Sequence, residues 1–87
     1  MVKEEEMRTI MGIEIKDREE SAVKVQELLT KHGCIIKTRL GLHEVENQCS
    51  ANGFILLEFE RQETGEHDQL KDELNAIENV VAKTMEF

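Results

Sequence analysis

Apolar residues recur with two different periods along this 87-residue chain, and the order of those periods limits the folds it can adopt. Residues 7–15 alternate between two faces, which is typical of a strand. The following segment repeats apolar residues every three or four positions. This pattern predicts a helix of about fifteen residues that is capped by Asp17 and ends at His32, before Gly33.

The rest of the chain shows the same two kinds of pattern. Residues 34–43 predict a second strand with its even positions on one face, and residues 54–59 predict a third that starts apolar on both faces. Apolar residues spaced by four and three predict a second helix over about residues 66–77. Residues 79–87, which contain β-branched side chains, predict a fourth strand.

The resulting order, β-α-β-β-α-β, predicts an α+β fold of the ferredoxin-like sandwich type. We expect a four-stranded antiparallel sheet in the order 4-1-3-2, with both helices on one face. The length favours a single domain over residues 7–87, preceded by a disordered or frayed segment at residues 1–6.

Charge and hydropathy exclude several classes of protein. The net charge is −8, and residues 44–87 carry all of it. Such an acidic chain lacks the basic face that nucleic-acid binding requires, so direct nucleic-acid binding is not expected. No stretch approaches the ~18 apolar residues of a membrane helix, and the acidic start does not resemble a signal peptide. We therefore expect a cytoplasmic protein with Cys34 and Cys49 as reduced thiols.

Two helices cover only one side of such a sheet, so the outward residues of its central strands are informative. The odd residues of the first strand and residues 55, 57 and 59 should face the helices. The outward patch then contains Ile10, Gly12, Phe54 and Leu56, joined by Ile35, with Val80 and Ala82 as weaker candidates. An exposed apolar patch usually marks a partner surface. We expect a homo-oligomer, a dimer or tetramer, built through this face, although singly exposed apolar residues are also ordinary.

Arg39 and Gly41 are expected to point away from the helices on the second strand, beside Gly12. A glycine in a strand often marks a bulge or a close backbone approach. An arginine at this place would bind a carboxylate from a small-molecule ligand or a neighbouring subunit. The alternative is a solvated arginine on an edge strand beside a bulge.

His43 and Cys49 are the candidate ligands for a transition metal, because both side chains suit zinc, nickel or iron. Structural zinc sites normally contain close ligand pairs such as Cys-x-x-Cys, which this chain lacks, so two unrelated neighbours remain the alternative. The chain also lacks a P-loop, a dinucleotide fingerprint and a nucleophile elbow. We therefore expect no enzymatic activity and predict no cofactor beyond this metal.

Two short motifs resemble a family of small anaerobe proteins known as regulators of the iron-only hydrogenase system. They are Lys16-Asp17-Arg18-Glu19 and Arg39-Leu40-Gly41-Leu42, and the resemblance extends over about residues 7–87. It implies an ACT-like fold, similar to the C-terminal domain of nickel-responsive repressors, and oligomers built through sheets. Asp17, Arg18, Arg39 and Gly41 carry over as pattern positions without a catalytic role. The loop at 44–53 is longer than in that family.

These features together predict an oligomeric regulatory domain that senses a ligand or binds a protein partner and is linked to the iron-only hydrogenase system. Two alternatives remain open at the level of the sequence. One is a metal-binding sensor that uses His43 and Cys49. The other is a purely structural assembly module.

Overall fold

The computed structural model describes residues 8–16, 20–42, 53–60 and 65–87. Its elements are β1 (Thr9–Ile15), α1 (Glu20–Lys31), β2 (Ile36–Leu42), β3 (Gly53–Phe59), α2 (Glu66–Asn75) and β4 (Val80–Glu86). A short 3-10 helix, Gly33–Ile35, connects α1 to β2. The second strand therefore begins two residues later than predicted. The segment 1–6, predicted to fray, lies outside the described residues.

The four strands form one sheet in the order β2-β3-β1-β4, and each neighbouring pair is antiparallel. This is the predicted order, counted from the opposite edge of the sheet. With the β-α-β-β-α-β element order, it confirms the α+β, ferredoxin-like fold. Neither helix of the described chain is long and apolar enough to cross a membrane.

The hydrophobic core lies between the two helices and one face of the sheet. Alternate residues of the central strands are buried in it, as the period of two predicts: Met11, Ile13 and Ile15 from β1, and Ile55, Leu57 and Phe59 from β3. The helices add Val25, Leu29, Leu70 and Leu74. Burial of this apolar surface is what holds the helices on the sheet, since each Å² removed from water contributes about 25 cal/mol.

A β-bulge in β2 changes which side chains face the helices. Ile36 pairs with Phe59, whereas Thr38 pairs with Glu58, so Lys37 is the additional residue. An extra residue shifts the alternation of side chains by one position. Beyond the bulge, the even-numbered residues of β2 therefore point away from the helices and the odd-numbered residues point towards them. This is the reverse of the prediction from the alternation of the sequence.

The side chain of Asn75 covers part of the free edge of β4. Its Nδ2 donates a hydrogen bond to the carbonyl of Ala82 at 3.0 Å, and its Oδ1 accepts one from the Ala82 N–H at 2.8 Å. Because β4 pairs with β1 on its other side, these two bonds satisfy backbone groups that an edge strand otherwise presents to solvent.

A buried histidine connects the end of α1 to α2. The Nδ1 atom of His32 lies 2.8 Å from Oε2 of Glu66, and its Nε2 atom lies 2.9 Å from Oε1 of Glu73. The ammonium of Lys31 lies 3.1 Å from the second oxygen of Glu73. Hydrogen bonds from Lys31 and His32 hold the pKa of the Glu73 carboxyl below its ordinary value of 4.5.

Replacing Glu73 by glutamine should change the acid sensitivity of the protein. A carboxyl whose pKa is lowered by folding contributes stability above its unfolded pKa of about 4.5 and loses it as the pH falls through the folded value. We expect the Glu73→Gln variant to be less stable at pH 6 and to lose less stability between pH 5 and pH 3. Urea unfolding at several pH values measures both effects, and Glu86→Gln serves as an exposed control. If the free energy of unfolding changed equally with pH in the wild type and in Glu73→Gln, the lowered pKa would not belong to Glu73.

Candidate functional site

The sheet face opposite to the helices, here named the open face, is largely apolar. Leu40 of β2 lies beside Leu56 of β3, which lies beside Gly12 of β1; in the next row Leu42 lies beside Phe54. Leu40 is 52% exposed, Leu42 42% and Phe54 38%. The apolar members of this face are Ile10, Gly12, Leu40, Leu42, Phe54, Leu56, Val81 and Met85. The described chain therefore leaves a contiguous apolar surface uncovered.

The predicted central members of this surface lie on it. Ile10, Gly12, Phe54 and Leu56 all project from the open face, because their neighbours along each strand are buried under the helices. The sequence prediction missed Leu40 and Leu42, which the bulge in β2 turns to this side.

Three other predicted members of the patch lie elsewhere, and the prediction for them is wrong. Ile35 belongs to the 3-10 helix and packs against the core. Val80 and Ala82 are buried under the helices, because they pair with the core residues Ile15 and Ile13. Directly paired residues in antiparallel strands point to the same face, and that register fixes their side.

Gly12 leaves room for the tip of an aromatic ring on the open face. A Cβ atom added at Gly12 would lie 2.9 Å from Cζ of Phe54. The ring of Phe54 therefore occupies the space that any other side chain at position 12 would need. Covering of a strand glycine by a cross-strand aromatic ring is a common way to compensate for the missing side chain.

The charged residues of the open face balance one another. Arg8 and Glu58 form an ion pair with 3.2 Å between Nε and Oε2. Lys83 lies beside Gly12, and Glu14 lies between Phe54 and Val81 in the neighbouring row. Within the described part of the chain, these pairings give the surface two acidic and two basic side chains, in a protein whose net charge is −8.

A groove of about 270 Å³ lies between α1 and the end of β2 and β3, and two of its lining residues, Leu42 and Phe54, also belong to the open face. It is lined by Ile15, Ala22, Gln26, Arg39, Gly41, Leu42, Gly53, Phe54 and Ile55. Ala22 and Gln26 are one helical turn apart on α1, so both can face the same groove. Gly41 adds no side chain, which keeps β2 open at this point.

Arg39 and Gly41 lie on the helix side of β2, and their predicted outward orientation is wrong. Arg39 pairs with the buried Leu57, and Gly41 pairs with the buried Ile55. The guanidinium of Arg39 is exposed and donates a hydrogen bond from Nη2 to Oε1 of Gln26. The bulge brings these two predicted ligand-binding residues together in the groove and separates them from Gly12, which lies on the open face.

Four further predicted site residues lie outside the described part of the chain. They are Asp17 and Arg18 before α1, and His43 and Cys49 between β2 and β3. Binding of a transition metal by His43 and Cys49 therefore stays a sequence prediction. Among the described residues, no group of three or more histidine, cysteine, aspartate or glutamate side chains could hold a metal ion.

Solved structures support the fold of the described chain. The uncharacterized protein TM1266 from Thermotoga maritima aligns with a TM-score of 0.79 and 26% sequence identity, over 92% of this chain and 95% of that one. Formyltetrahydrofolate deformylases from Pseudomonas putida KT2440 and Burkholderia mallei ATCC 23344 align with TM-scores of 0.56 and 0.58, both at 15% identity over 90% of this chain.

The extent of these matches limits what they say about function. This chain spans only 28% and 27% of the two deformylases, and at 15% identity the likeness shows a shared fold alone. No protein-family model matches the sequence, and no curated protein matches it. The shared fold is of the ferredoxin-like, ACT-like type.

Proposed function

We propose that this protein is a non-enzymatic regulatory domain that binds a small carboxylate in the groove between α1 and β2. The observation that carries the proposal is the position of Arg39 at the groove. Its guanidinium lies there beside Gln26, and the groove walls are otherwise mostly apolar. Ligand sites typically combine such apolar walls with a few polar groups that fix the orientation of the ligand.

The chemistry of the groove indicates what it would bind. A guanidinium presents several N–H donors in one plane and pairs with both oxygens of a carboxylate. Ile15, Ala22 and Ile55 offer an apolar surface for the remainder of the molecule. At about 270 Å³ the groove is at the small end of ligand sites, which favours a small metabolite over a nucleotide cofactor.

The open face is the surface by which the regulatory domain would associate with a second copy of itself. Its exposed leucines and Phe54 offer apolar area to bury. Two copies that each carry −8 repel one another, but on the open face the charges of Arg8, Glu14, Glu58 and Lys83 cancel. Two copies of a surface that carries equal numbers of positive and negative charges can associate without net electrostatic repulsion between them.

Binding can be tested with aliphatic and aromatic monocarboxylates of about four to nine carbon atoms as probes. A ligand that binds the folded state raises the melting temperature in proportion to its occupancy, so thermal unfolding with each probe is the measurement. We expect Arg39→Ala to weaken binding about tenfold or more, because the paired hydrogen bonds are lost, and Arg39→Lys to restore it only in part.

Lys37 provides the matched control for this experiment. It is a cation on the same strand, two residues before Arg39, but it lies at the bulge and does not line the groove. We expect Lys37→Ala to bind the probes like the wild type. Equal affinities for wild type and Arg39→Ala, or no stabilisation by any probe, would refute the proposed site.

A link to the iron-only hydrogenase system is the finer part of the proposal, and it is supported by the resemblance of the two short motifs. One of those motifs contains Arg39 and Gly41, which line the groove. The observation that tests the link is gene order: co-transcription with a hydrogenase maturation gene would support it. Transcription with unrelated genes in several genomes would argue against it.

A further inference from the structure

The buried position of His32 between two carboxylates suggests a role that the groove and the open face do not explain. His32 is 3% exposed, and each of its two ring nitrogens lies within hydrogen-bond distance of a different glutamate on α2. A neutral imidazole carries only one N–H, whereas an imidazolium carries two. Only the protonated ring can therefore donate a hydrogen bond to both of these carboxylates at once.

We propose that His32 is a protonation-dependent clamp, which holds the C-terminal end of α1 against α2 and weakens this contact when the ring loses its proton. After deprotonation one ring nitrogen presents a lone pair to a carboxylate oxygen less than 3 Å away. A charge-assisted hydrogen bond is thereby replaced by a repulsive contact between two acceptor atoms. The His32 ring is buried, so water has little access to the ring nitrogen that loses its partner, whereas the carboxylates of Glu66 and Glu73 are partly exposed.

The charged groups around the ring agree with this arrangement. On α1, the ammonium of Lys31 pairs with Oε2 of Glu73, the carboxylate oxygen that His32 does not contact. On α2, the neighbours of Glu66 are His67 and Asp68, which lie 3.7 Å apart at their closest charged atoms.

The end of β3 adds one aromatic and one acidic residue, Phe59 and Glu60, at this place. The rings of Phe59 on β3 and His67 pack against each other at an angle of 35°, with 5.7 Å between their centroids. The N–H of Glu60 donates to the carbonyl of Ile35 at 2.8 Å, just after the turn that follows His32. The partners of the His32 ring are thus the two carboxylates of α2, and a neutral ring donates to only one of them while Lys31 still pairs with Glu73.

The test compares the free energy of unfolding at pH 6 and pH 9 for wild type, His32→Gln and His67→Gln. We expect the folding equilibrium constant of the wild type to fall at least about tenfold over this range, because one charge-assisted hydrogen bond is lost. His32→Gln should remove this fall, and His67→Gln should keep it. A fall of equal size in wild type and His32→Gln would overturn the proposal.

A second measurement applies to the wild type alone and does not depend on how well a variant folds. Nitrogen-15 spectra of the histidine rings report how many protons each ring carries. We expect His32 to carry a proton on both nitrogens at pH 6 in the folded protein. A single N–H on this ring at pH 6 would overturn the clamp, because one carboxylate would then lack its donor.

Discussion

Replacing Leu40 by lysine is expected to weaken self-association of the protein by about 100-fold or more. Leu40 lies on the open face beside Leu56, and in a face-to-face dimer each copy would bury one such residue. The substitution places two ammonium groups in an apolar interface, and each costs more than about 1.4 kcal/mol, which is a factor of ten in affinity. Sedimentation equilibrium of the 10.0 kDa chain over a range of concentrations measures the effect.

Val23 offers a matched control, because the same change can be made at a similarly exposed apolar residue on α1. Leu40 is 52% exposed and Val23 is 58% exposed, but they lie on opposite sides of the molecule. We expect Val23→Lys to associate like the wild type, and both variants to keep the stability of the monomer within about 1 kcal/mol. A wild type that stays monomeric at several hundred micromolar, or a Leu40→Lys variant that associates normally, would refute the interface.

The second large effect is expected for Leu74→Ala in α2. Leu74 is completely buried between α2 and the sheet, so its truncation removes apolar burial and leaves a cavity. Such changes cost about 2–5 kcal/mol, whereas small domains have about 5–15 kcal/mol of stability in total. Urea unfolding at low protein concentration, where association does not contribute, should show a midpoint lowered by about a third or more.

The control for this change is Val23→Ala. Val23 is 58% exposed on α1, and its truncation should alter the free energy of unfolding by no more than about 0.5 kcal/mol. If Leu74→Ala cost less than about 1 kcal/mol, the docking of α2 described here would be incorrect.

The sequence was sufficient to predict the fold because its strongest signals are local. The alternation in residues 9–15 and the helical spacing of Leu70 and Leu74 each follow from one element packing against one core. The order of elements then leaves few topologies. The sides of Val80 and Ala82 could not be predicted in this way, because Val81 between them is apolar too and only the register with β1 distinguishes the two faces.

The candidate site was less predictable, and a single residue explains most of the difference. A strict alternation from residue 34 predicts that Arg39 points away from the helices. The additional residue Lys37 shifts the alternation by one, so Arg39 points towards the helices instead. A bulge depends on how two strands meet, so the sequence of one strand does not reveal it. The hydrogen bond between Gln26 and Arg39 joins a helix to a strand edge, and no local pattern predicts such a contact.

The pairing of Asn75 with Ala82 has a consequence for how far an assembly of this protein can extend. A filament built by adding sheet to sheet needs two open edges on every subunit. Here the side chain of Asn75 already occupies the hydrogen-bonding groups at the middle of β4. An added strand would therefore have to displace the Asn75 side chain from β4, which disfavours the extension of the sheet from this edge into a filament.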